Sequence, residues 1–104
     1  NSDHNFSVEF WLKTDSENDK LIVFRDENTS SYIGIKDGKI DAYSKLETNS
    51  TVNDNYWHHI AVVNQNDLNN DTYIISIHID GVLDNSATFS DDLYEFSNGE
   101  FLLN

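Results

Sequence analysis

Residues 55–64 read N-Y-W-H-H-I-A-V-V-N, and how this stretch is read decides the fold. Two adjacent histidines beside a tryptophan suggest a catalytic pair or a metal site. The residues that follow, I-A-V-V, are those of a β-strand. On a strand, neighbouring side chains leave on opposite faces, so the imidazoles of His58 and His59 cannot converge on one ion or substrate. A zinc pair on a strand needs a spacing of two, and two residues after His58 stands Ile60. A lone histidine also needs an oriented partner to act as an acid or base. The stretch reads as structure.

Its neighbours on both sides read the same way. N-F-S-V-E-F-W-L-K-T puts Phe6, Val8, Phe10 and Leu12 on one face and Ser7, Glu9, Trp11 and Lys13 on the other, the alternation of a half-buried strand. K-L-I-V-F-R, residues 20–25, is a second strand, reached through the loop D-S-E-N-D and followed by the turn-forming cluster E-N-T-S-S. In S-Y-I-G-I-K-D-G-K-I-D-A-Y-S two alternating arms flank Asp37-Gly38, and in Y-I-I-S-I-H-I-D-G-V-L-D-N-S-A-T-F they flank Asp80-Gly81. Both dipeptides suit a type I′ hairpin turn, which needs positive φ at its two central residues. Tyr73, Ile75, Ile77 and Ile79 share one face of the second hairpin's first arm. T-N-S-T-V-N-D-N is expected to be a polar connector and N-Q-N-D-L-N-N-D the longest loop; G-E-F-L-L near the end looks like the start of another strand. No segment sustains a 3.6-residue period. Seven or eight short strands joined by turns, with little or no helix, predict an all-β fold, a single antiparallel β-sandwich over residues 1–104.

Composition narrows the function. The chain has 104 residues, 38% of them hydrophobic and 12% aromatic, and no cysteine, which removes disulfides, thiolate catalysis and cysteine-based metal sites. Nineteen acidic against six basic residues leave a net charge of −13. A surface this negative repels phosphate backbones and anionic membranes, so neither a nucleic acid nor membrane insertion is expected. Neutral sugars, cationic partners and calcium remain open.

The order of the pieces carries a resemblance. F-S-V-E-F-W-L-K-T, then a strand bearing Y-I-G-I, then Y-W-H-H-I-A-V-V, then I-S-I-H-I-D-G-V-L-D resembles the laminin-G-like group of concanavalin A-like jelly rolls, from Phe6 to the end of the chain. The resemblance implies a jelly-roll β-sandwich and a core strand in which Trp57 and one histidine pack inward. It also implies an extracellular or cell-surface binding module. Relatives usually continue into a further F-x-G-x-I-D-E-V-x-I segment and begin with an earlier strand. The domain is therefore expected to lack terminal strands of the full fold and to offer a sheet edge for pairing with a partner chain or neighbouring domain.

Candidate chemistry follows. The fold also hosts glucanases, whose E-x-D-x-x-E strand motif sets two carboxylates about 5 Å apart for retaining hydrolysis. Asp91, Asp92 and Glu95 do not have that spacing, so no catalytic residue is assigned. G-x-S-x-G and clustered glycines are absent. Sugar binding needs an aromatic platform, and Trp11, Tyr32, Tyr43 and Tyr56 are the candidates. Calcium is the cofactor to consider, because the resembling groups often hold it in rim loops with Asp and Asn oxygens. Asp26 and Asn28, and Asp67, Asn69 and Asp71, have that chemistry, although the same residues also form turns on any acidic surface. The sequons at Asn5, Asn28, Asn49 and Asn70 read as by-products of a chain rich in Asn, Ser and Thr. The function expected is glycan recognition or adhesion; the alternative is an assembly module of a larger surface protein, toxin, enzyme or filament.

Overall fold

The computed structural model describes residues 5–25, 30–67 and 71–90. They form eight strands and no helix: β1 Phe6–Leu12, β2 Asn18–Arg25, β3 Ser30–Lys36, β4 Lys39–Ala42, β5 Leu46–Thr51, β6 His58–Asp67, β7 Thr72–Ile79 and β8 Val82–Ser90. Two four-stranded antiparallel sheets result, ordered β1-β6-β7-β8 and β2-β3-β4-β5. This is the predicted sandwich. Among the described residues no helix is long and apolar enough to cross a membrane.

Period-two patterning builds the core. Ile60, Val62, Tyr73, Ile75 and Ile77 from one sheet meet Ile33, Ile35, Ile40, Ala42, Tyr43 and Val52 from the β2–β5 side, all nearly inaccessible to water. Val8, Phe10 and Leu12 pack against this cluster from β1. Each fully buried isoleucine contributes about 1.5–3 kcal/mol.

The two Asp-Gly turns form as expected, with φ of 54° and 80° at Asp37 and Gly38, and 54° and 82° at Asp80 and Gly81. At Gly38 the φ of 80° favours glycine, and a Cβ there would also stand 2.7 Å from the Asn53 side-chain oxygen, so that side chain would have to move. A third turn of the same kind was not legible: Tyr43 and Ser44 have φ of 59° and 60°, and the Lys45 N–H donates to the Ala42 carbonyl at 2.9 Å.

That turn corrects the expectation of a polar connector, because it launches β5. The register slips between Lys39 and Asp41, which frees the Ile40 N–H, and the Thr48 hydroxyl accepts it at 3.0 Å. Thr48 and Val52 face inward while the rest of the stretch stays wet. The expected long loop is shorter too: Asn64–Asp67 pair with Ile75–Thr72 and belong to β6. Asn64 points into the core, and its side-chain amide bonds to no described residue. Residues 91–104, including the expected final strand, lie outside the described residues.

The two sheets are joined along one side. Asn49 of β5 donates its backbone N–H and its side-chain amide to Asp84 of β8, and the Asn85 amide donates to the Glu47 carbonyl at 2.8 Å. Side-chain bonds thus cap backbone groups of two facing edges.

Candidate ligand-binding face

β1 and β6 are distant in sequence and adjacent in space, with Trp11 opposite His59 and Leu12 opposite His58. Glu9, Trp11 and His59 lie on the outward parity of their strands. The His59 ring meets Trp11 edge-on, centroids 5.2 Å apart, and its Nε2 lies 2.8 Å from Glu9 Oε1. Trp11 itself remains 65% exposed.

The segment leading into β6 runs beside the end of β1, because the Asn55 N–H donates to the Thr14 carbonyl at 2.8 Å. It carries Tyr56 and Trp57, 70% and 63% exposed. The inward position expected of Trp57 is therefore corrected. Trp57 shares the outward parity of His59 and stands just ahead of the first residue of β6. The β7–β8 turn reaches the same end and adds exposed Val82 and Leu83. Of the large apolar side chains most exposed among the described residues, only Val23 lies elsewhere.

His58 takes the opposite face, as alternation demands, at the rim of the core. Its Nδ1 lies 2.8 Å from Asp80 Oδ2 and its Nε2 2.8 Å from Asp54 Oδ1. The Asp80 carboxylate next to it, then that of Asp54, raise its pKa above 6.5, against an opposing effect of partial burial. In return the His58 ring lowers the pKa of both carboxyls. The two histidines thus have separate carboxylate partners on separate faces, and they do not form a joint site.

The aromatic residues expected to form a platform divide by position. Trp11 and Tyr56 are both strongly exposed, one near the end of β1 and the other just before β6. Tyr32 belongs to the outer face of the other sheet, where Lys20 Nζ stands 5.2 Å over its ring. There it lines a shallow groove of about 420 Å³ with Asn18, Asp19, Lys20, Ile35 and Lys36. Tyr43 is corrected outright: its ring is 8% exposed, inside the core beside Phe24. Burial drives its phenol pKa far up. Trp57, His59 and Glu9 are not among the aromatic and carboxylate candidates expected from sequence, although the parity shared by Trp57 and His59 was there to be read.

Of the calcium candidates, Asp26, Asn28 and Asn69 lie outside the described residues. Asp67 ends β6, and Asp71 begins the return to β7 with φ of 53°. No three His, Asp or Glu side chains gather as a metal group among the described residues. One cross-strand carboxylate pair exists on the other sheet, Asp41 opposite Glu47. Asp41 is 3% exposed, its pKa raised by desolvation and by Glu47, and it accepts bonds from the Ser44 N–H and the Tyr32 hydroxyl. Glu47 is paired with Lys36 at 3.4 Å. Asp41 fastens the Tyr43-Ser44 turn, and that structural role accounts for its burial.

Residues 1–103 match the laminin G family model described as the concanavalin A-like lectin/glucanases superfamily. The chain belongs to that superfamily. No curated protein sequence matches this laminin-G-like domain closely enough to count as a relative. The fold of the domain is that of a binding module. Its exposed aromatic end combines flat apolar faces with a carboxylate and an imidazole, groups that stack on a ring and hydrogen-bond to its hydroxyls.

Proposed function

We propose that this laminin-G-like domain is a non-catalytic, extracellular carbohydrate-binding module whose glycan-contacting surface is the Trp11–Tyr56–Trp57 end of the β1–β6 sheet. The observation that carries this reading is that three strongly exposed aromatic side chains belong to the end of β1 and the start of β6, where Glu9 and His59 are paired. Such exposure leaves apolar area in water, and a sugar face removes it without a large rearrangement. The net charge of −13 favours neutral or cationic glycans over sulfated or sialylated ones. Calcium bound near Asp26, Asn28, Asp67, Asn69 and Asp71 is proposed as a loop organiser that acts at a distance from the sugar, since Asp67 ends β6 and the aromatic face lies at its start.

The test is a glycan array probed with the wild-type chain and with Trp11→Ala, in calcium and in chelator. Binding of neutral saccharides that drops by at least tenfold in the variant, about 1.4 kcal/mol or more, is the expected result. Loss of signal in chelator supports the calcium organiser, and retention removes it. Absence of any glycan signal, together with concentration-dependent self-association, favours the assembly reading instead. Release of product from a polysaccharide overturns both.

A further inference from the structure

His58 stands where three pieces of chain meet: the segment before β6, β6 itself and the β7–β8 turn. Asp54 reaches it from the first and Asp80 from the last, each at 2.8 Å. An ionised carboxylate only accepts hydrogen bonds, whereas a neutral imidazole has one N–H and one lone pair. Two carboxylates on the two ring nitrogens are therefore satisfied together only by the doubly protonated ring. Once a proton leaves, one contact becomes a lone pair facing an anion.

We propose that His58 is a positioning residue: as the imidazolium it draws Asp54 and Asp80 together and so fixes the segment that presents Tyr56 and Trp57. The route from ring to aromatics is short. The Asp54 Oδ1 that meets His58 also accepts the Tyr56 N–H at 3.2 Å, and Asn55 between them is held to Thr14. On the other side Asp80 accepts the His59 N–H at 2.9 Å, so the clamp also sets the start of the strand that positions Trp11's partner. From β1 the residue opposite His58 is apolar Leu12. The Glu9–His59 pair lies on the far face of the strand, which leaves Asp54 and Asp80 as the described charges that face the ring. Both favour its protonated form. The segment is thus locked in acid and released as pH rises past the His58 titration. The consequence for ligand rests on the carbohydrate reading above, whereas the lock is a property of the chain alone.

The test follows the wild-type chain by NMR from about pH 5 to about pH 9, the range in which histidine changes charge. Expected are two ring N–H signals for His58 at the acid end, and movement of the Tyr56 amide and Trp57 indole with the His58 midpoint. Affinity for the neutral saccharides of the array should fall roughly five- to tenfold through the same midpoint. His58→Arg, a permanent cation with several donors, should bind with a flat pH profile. His58→Gln, with a single donor group and no charge, should bind weakly throughout while its β-sheet circular dichroism is retained. A Tyr56 amide and Trp57 indole that ignore the His58 titration overturn the proposal, as does a His58→Arg profile that follows the wild type. A segment that titrates with His58 in a chain that binds no saccharide at any pH upholds the clamp and overturns the carbohydrate reading.

Discussion

At His58 the electrostatics and the fold point the same way, and the sign of their coupling can be worked out. A histidine whose folded pKa lies above 6.5 contributes stability that is fully present below 6.5 and disappears as pH rises through the folded value. Asp54 and Asp80, with pKa values below 3.8, contribute stability that is present above 3.8 and lost as pH falls through their folded values. The clamp is complete between those limits, in the mildly acid range. Wild-type Tm is therefore expected to decline from about pH 6 to about pH 9, whereas His58→Gln should show no such decline. Thermal melts across that span check this, and parallel curves for the two proteins would show that the ring and carboxylates are not coupled. The pair His58–His59 also shows how much a single residue can tell. Alternation was enough to separate the two rings, but it could not name Asp54, Asp80 or Glu9 as their partners, because those residues arrive from other elements.

At the scale of elements, the β3–β4 and β7–β8 hairpins were legible because Asp-Gly supplies positive φ at low cost. The β4–β5 hairpin was not, because Tyr43-Ser44 makes the same turn without glycine. A non-glycine residue in the left-handed region costs roughly 1–2 kcal/mol, and glycine in its place loses about 0.5–1 kcal/mol of chain entropy. Ser44 is exposed, and its bond to Asp41 comes from the backbone. Ser44→Gly should therefore stabilise the domain by about 0.5–1 kcal/mol, read from the urea midpoint at unchanged m-value. An unchanged or lower midpoint would mean that the turn is not strained. Strand β5 stayed hidden for a related reason. L-E-T-N-S-T has no apolar alternation, and its one fully inward side chain, Thr48, is held by the Ile40 N–H that the bulge leaves free. The last residues of β6 are polar, yet they are extended because β7 pairs with them.

For the whole molecule, charge is the dominant unbalanced term. Nineteen acidic groups on a small domain repel one another, and only a few are paired with a cation among the described residues. Salt shortens the reach of that repulsion, with the Debye length falling from about 30 Å at roughly 0.01 M to about 8 Å at roughly 0.15 M. The Tm should rise over this range, because repulsion among many charges outweighs the few exposed ion pairs that salt also weakens. A Tm that falls with added salt would show that the specific pairs, the His58 clamp first among them, outweigh the net charge.

By itself the sequence determined the strand class, the parity of β1, β6 and β7 and two of the turns. These depend on side-chain period and on local φ, which are written in neighbouring residues. Only the tertiary structure decided which parity is covered and which aromatics meet. Tyr43 went into the core and Trp57 out of it. Trp11 met His59 because β1 pairs with β6 across some fifty residues of intervening chain, a contact that no local pattern encodes. The resemblance named the superfamily, but the pairing of β1 with β6 is what assembled the proposed binding face.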